Sequence, residues 1–195
     1  MVNFGLKYKC DYNKMSKGGL YMTKIEKALS NLADETLKEV GITTVPVSVD
    51  KIAEYYGFSV FEGLLNEGES GLILVSDTKM EKYDSNKIIM VNREEAEVRK
   101  RFTIAHELGH YLLNDKPTEC YAHRETGKRD FEEIMANSFA SYLLMPEKQL
   151  KKYVTYLKYE WLDKIPDDFL IYSVSRQFMV SKDAARVRLI KMGEI

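Results

Sequence analysis

"RFTIAHELGH", residues 101–110, places two of the chain's three histidines, His106 and His110, four positions apart around Glu107. In an α-helix, positions i and i+4 lie nearly above one another, about 6 Å apart along the axis, so both imidazoles can point at one spot. A single zinc ion can take both. Glu107 lies about 100° round the helix from His106, badly placed to join that coordination face but close enough to reach a water beside the metal. Its natural role is general base. Zinc activates water against a polarised carbonyl, and the neighbouring carboxylate takes the proton and can return it to the leaving amine. The plain alternative is an amphipathic core helix with hydrogen-bonded histidines. Phe102, Ile104, Ala105, Leu112 and Leu113 would bury this helix, and burying two unpartnered imidazoles is unfavourable, which favours the metal. Gly109 removes a side chain between the two ligands.

A catalytic zinc normally has three protein ligands and an open position, so a third ligand must come from elsewhere. A metzincin-type extension would need glycine at 113 and histidine at 116, where this chain has Leu113 and Lys116. A downstream carboxylate on a second helix remains. Glu132 and Glu133 in "FEEIMANSFASYLLMP" (131–146) are both within reach by sequence distance, and periodicity alone does not choose between them. Asn137 favours Glu133, because it lies one turn further along the same face, placed to hydrogen-bond a ligating histidine. Ala136 and Ala140 are small enough for this helix to pack closely near Gly109. The competing role for Glu133 is as capping-box partner of Asp130.

The rest of the chain reads as one globular unit of class α+β. At 195 residues, with 45% apolar and 30% charged residues, it can bury one full core. A net charge of −1 and a pI near 6.3 provide no long-range field to gather nucleic acid or an anionic membrane surface. Two cysteines, Cys10 and Cys120, make neither a disulfide framework nor a thiolate zinc site, and fit a reducing cytoplasm. No segment has signal-peptide or bilayer-spanning character. Residues 1–22 are expected to be a flexible N-terminal extension, with Met15 and Met22 as alternative starts. Residues 23–146 are expected to form the core, and 147–195 a helical C-terminal cap packed on it.

Helical spacing runs from a capping box at Thr23 and Glu26 to a stop at Gly41, and again over Val49–Tyr56. "FSVF" (58–61), "GLILVSD" (71–77) and "KIIMVN" (87–92) have strand composition and predict a small, mainly antiparallel sheet packed on the histidine helix. Asn92 and Glu95 form a second capping-box pattern ahead of that helix. Residues 114–129 read as a loop, a helix follows from about Asp130 to Leu144, and Pro146 opens a helical C-terminus.

"RFTIAHELGHYLL" followed by "EIMANSFASYLLMP" resembles the ImmA/IrrE family of bacterial metallopeptidases, and "VPVSVDKIAEYYGFSV" with "KIIMVN" is similar to its usual lead-in. The similarity covers about residues 43–146. It implies a zincin-like core, one zinc held by His106, His110 and Glu133, and catalysis by Glu107. It also implies a protein substrate, a helix-turn-helix repressor of a mobile-element, stress-response or toxin–antitoxin-like system. Some relatives carry their own helix-turn-helix domain ahead of the protease, and 22 residues are too few for one. In zincins generally the substrate adds to an edge strand; "GLILVSD" is the candidate, and Leu74→Pro is expected to abolish cleavage.

Weaker signals surround this site. His123, Tyr121 and Tyr142 are candidates to stabilise the oxyanion, and Cys120 is a remote candidate to block zinc's open position. "SVSRQFMVSKDAARVRLIKM" (173–192) has the cadence of helix, turn, helix, with Ser181 as N-cap and Arg186, Arg188 and Lys191 on the second helix. This supports an alternative function, a DNA-binding or repressor-sequestering regulator with a non-catalytic zinc site. Against it, Phe178, Val180, Val187 and Leu189 have the spacing of a face packed on the core, so direct nucleic-acid binding is not expected.

Overall fold

The computed structural model describes residues 19–113, 128–162 and 164–195. In chain order its elements are α1 (Gly19–Val40), α2 (Val49–Tyr55), β1 (Ser59–Gly63), β2 (Gly71–Met80), β3 (Ser85–Asn92), α3 (Glu97–Leu113), α4 (Lys128–Leu144), α5 (Glu147–Glu160), α6 (Asp167–Phe178) and α7 (Lys182–Met192). The fold is α+β, and its hydrophobic core draws on both the helices and the sheet, from Ile25 to Leu189.

The sheet has the order β1-β3-β2, with β3 central. β2 and β3 form the expected antiparallel pair, Ile73 opposite Ile89, while β1 runs parallel to β3 with Val60 opposite Ile89. The sheet is therefore mixed. A parallel neighbour needs a crossover connection, and the β2 hairpin together with its approach from β1 supplies it. As the strand with two neighbours, β3 buries Ile88, Ile89 and Val91.

Two helix starts differ from the sequence reading. α1 begins at Gly19, so Thr23 falls within it instead of capping it. Asn92 does not cap α3 either: its Oδ1 accepts from the Glu94 N–H at 3.1 Å, closing a local turn, and Glu95 accepts from the Ser70 hydroxyl at 2.7 Å. The helix begins only at Glu97. Ser181 does cap α7, accepting from the Ala184 N–H at 3.1 Å.

α3 lies between the sheet and α4. Ile104, Ala105 and Leu108 give it a buried apolar face. Its first half is held against the start of β2, where a Cβ on Gly71 would come within 2.3 Å of Thr103 Cγ2. Only glycine allows strand and helix to approach so closely.

Candidate metal site

On α3 the i, i+4 spacing puts the two imidazoles side by side, with His106 Nε2 and His110 Nε2 3.0 Å apart. α4 crosses them and brings in Glu133, whose Oε2 is 3.3 Å from His106 Nε2 and whose Oε1 is 3.1 Å from His110 Nε2. One ligand atom from each of the three lies within 4.8 Å of the others. Glu132, the other sequence candidate, is not part of this group. Two ring nitrogens and the two oxygens of one carboxylate thus turn towards one spot, a donor set that suits a metal cation. Donors bound tetrahedrally to zinc at 2.0–2.1 Å stand roughly 3.3 Å apart, and these separations match that figure closely.

The crossing depends on small residues. A Cβ at Gly109 would meet Phe139 Cδ1 at 3.0 Å and the backbone of Ala136 at 3.2 Å. Phe139 and Ala136 are fully buried, so neither has room to withdraw. The absence of a side chain at 109 is what lets α4 come close enough for Glu133 to reach both histidines.

His106 Nδ1 donates to Asn137 Oδ1 at 3.1 Å. An amide oxygen can only accept, so Nδ1 carries the hydrogen and Nε2 keeps its lone pair for a metal. The Phe102 ring flanks the imidazole of His106, with centroids 6.2 Å apart. Glu107 points inward and is 4% exposed. Burial, and then the charge of Glu133, push its pKa up to about 8. Glu107 follows His106 directly in α3, within the turn that carries both histidines.

The candidate oxyanion residues fare differently. Cys120, Tyr121 and His123 lie outside the described residues, as do Cys10 and the side chain of Asp130. Tyr142 lies away from the ligands. It is nine residues beyond Glu133, about two and a half turns, and so faces the opposite side of α4. There its ring lies 4.4 Å under the Arg188 guanidinium.

Three cations of α7 make contacts within the chain. Arg186 pairs with Asp168 at 3.2 Å, Lys191 with Glu26 at 2.8 Å, and Arg188 is buried on Tyr142. Phe178, Val180 and Leu189 are buried as expected, whereas Val187 is exposed. Sequence reasoning missed Lys87, which donates to the Tyr111 hydroxyl at 2.7 Å and to the Tyr56 carbonyl at 3.1 Å, fixing the far side of α3 to the loop after α2. It also missed Arg101, buried and donating to the Val47 carbonyl at 2.8 Å. Neither residue stands in a motif.

Among solved structures the chain is similar to a Mycobacterium tuberculosis transcriptional regulator, with a TM-score of 0.55 and 20% sequence identity over 84% of this chain and 46% of that one. At that identity the likeness speaks for the fold, and the chain spans just under half the length of that regulator. No curated protein matches the chain. No helix among the described residues is long and apolar enough to cross a membrane. The profile of the peptidase family M78, described as the IrrE N-terminal-like domain, matches residues 53–190, a span that takes in α3, α4 and the whole ligand group. The chain belongs to that family.

Proposed function

We propose that the protein is a zinc-dependent endopeptidase whose substrate is a helix-turn-helix transcriptional repressor. The observation that carries this reading is the convergence of His106, His110 and Glu133 beside a buried carboxylate that is not itself one of the three. A purely structural site closes its coordination with a fourth protein ligand and has no use for Glu107.

Zinc, when bound, supplies Lewis acidity for a peptide carbonyl and lowers the pKa of water. The rest falls to the chain. Asn137 holds the His106 ring, Glu133 spans the two histidines, and Glu107 moves the proton. With a pKa raised towards neutrality by burial, Glu107 can both accept a proton and give it back, the property wanted of a shuttle to the leaving amine. A cation at the histidines favours its charged, accepting form.

The edge of β2 supports a site for an extended substrate. Asn92 of β3 donates to the Ser70 carbonyl on the β2 side, and Arg93 donates to the Gly63 carbonyl on the β1 side, each at 2.9 Å. With Leu72 opposite Met90 and Leu74 opposite Ile88, the backbone groups of Leu72 and Leu74 are directed at β3. Those of Gly71, Ile73 and Val75 point to the open edge, where a peptide can add as a further strand. Leu74→Pro would therefore break the sheet itself, and Val75→Pro is the variant that probes the edge.

The repressor is favoured by the family and by the similar structure, that of a transcriptional regulator. The test begins with metal content by mass spectrometry. About one zinc per chain is expected, reduced in His106→Ala and in Glu133→Ala. Co-expression with repressors encoded nearby should then give cleavage that Glu107→Gln lowers by roughly 10²- to 10⁴-fold. A chain that takes up no metal after zinc reconstitution refutes the peptidase reading.

A further inference from the structure

Near the start of α3 a hollow of about 360 Å³ opens between that helix and the turn from α6 to α7. Its apolar walls are Val98 and Phe102 from α3 and Val180 and Ala184 from the turn. Val180 is buried, and the other three are half-buried. The polar groups around it are already engaged. The Ser181 hydroxyl accepts from the Ala184 N–H at 3.1 Å, and Arg99 donates to the Ser70 hydroxyl at 3.0 Å. Asp183, the remaining lining residue, is exposed to solvent. Arg101, buried on the same helix, donates to the Met179 carbonyl at 3.4 Å and to the Val47 carbonyl at 2.8 Å, which ties the turn to α3.

The hollow adjoins the candidate metal site. Its Phe102 is the same ring that flanks His106, with centroids 6.2 Å apart. Viewed down α3, Thr103 lies about 60° to one side of His106, whereas Phe102 and Val98 lie about 40° and 80° to the other. Thr103 is where β2 meets the helix, through Gly71. The face bearing both imidazoles therefore runs between the edge strand on one side and the hollow on the other.

We infer that the hollow receives an apolar side chain of the peptide substrate, and that Val98, Phe102, Val180 and Ala184 set specificity by its size and lack of charge. This deepens the peptidase reading and rests on it. A peptide added along the free edge of β2 alternates its side chains, so every second one faces α3. Phe102 precedes His106 by four residues, about 6 Å along the helix, or about two residues of extended chain. The side chain in the hollow thus belongs to a residue within about two of the bond that is cut. Apolar walls favour leucine, methionine or phenylalanine and penalise a charged side chain, which would lose its hydration there. The volume is at the lower end of small-ligand sites and suits one side chain rather than a cofactor.

Binding can be read without metal and without turnover. The full chain, stripped of metal and methyl-labelled at valine and alanine, is titrated by NMR with a blocked five-residue peptide carrying leucine at its centre between alanines and threonines. Its alanine-centred and aspartate-centred counterparts serve as comparisons. The leucine peptide should shift the methyls of Val98, Val180 and Ala184 and bind at least about tenfold tighter than either counterpart. Ala184→Leu, which fills the hollow from the turn, should erase that preference, and Val98→Phe should do so from α3 where Ala184→Leu fails to fold. Leucine bound no tighter than alanine, aspartate bound as tightly as leucine, shifts that miss these residues, or a preference that neither substitution alters overturns the assignment. Cleavage separates this from the wider reading. The zinc-loaded chain, given a mixed peptide library, should cut with an apolar residue at one fixed position within about two residues of the bond, and Ala184→Leu should turn that position to alanine or glycine. A chain that cuts nothing yet binds leucine through these methyls refutes the peptidase and keeps the hollow as a side-chain site. One that cuts without any apolar preference overturns the hollow and keeps the peptidase.

Discussion

Asn137 never touches the proposed metal, yet it decides which nitrogen of His106 is available. Asn137→Ala should lower zinc affinity by about 10- to 100-fold with little change in melting of the metal-free protein, which competition against a fluorescent chelator would measure. Glu107 supports a second prediction. Its pKa rises from 4.5 to about 8 on folding, so between those values the unfolded chain has lost a proton that the folded chain retains. Metal-free protein should therefore lose stability as pH climbs through that window, by at most about 1.4 kcal/mol per pH unit, and level off above it. Glu107→Gln should flatten the profile in urea unfolding at a series of pH values. A slope that survives the substitution would assign the effect to another group.

At the scale of elements, the meeting of α3 and α4 carries the site, and Gly109 sets its spacing. Alanine there gains about 1 kcal/mol of helix propensity but overpacks against Phe139 and Ala136, at a cost of about 1–3 kcal/mol. The net expectation for Gly109→Ala is a melting point lower by roughly 2–4 °C and weaker zinc binding, because the strain lies between the two ligand-bearing helices. For β2, Val75→Pro should keep the fold by circular dichroism and lose cleavage, whereas Leu74→Pro should lose both. The helices and the candidate ligand group were legible from local spacing, i, i+4 on α3 and Glu133 with Asn137 on α4, joined by the family resemblance that also favoured Glu133 over Glu132. The parallel pairing of β1 was not, since strand partners are chosen by contacts distant in sequence and nothing in "FSVF" records them. The burial of Arg188 was not legible for a related reason. Local spacing does not separate it from Arg186 and Lys191 on the second helix, and only the position of Tyr142 shows that it is buried.

Taken whole, the molecule hangs two different surfaces on α4, with Glu133 and Asn137 towards α3 and Tyr142 towards α1 and α7. The ligands lie on two helices separated in sequence by residues 114–127, so an ion held by His110 and Glu133 would tie α3 to α4. Under mass action each tenfold rise in free zinc above Kd adds about 1.4 kcal/mol of stability, or roughly 3–5 °C of melting temperature in a chain of this size. Differential scanning fluorimetry across buffered zinc concentrations would show that slope, and it should vanish in Glu133→Ala. The seam between α3 and α4 is in that sense buttoned by the ion. With zinc as the proposed ion, scarcity of the metal should let the seam open more often and housekeeping proteases find the chain sooner, so that the stock of the protein itself would follow the metal supply.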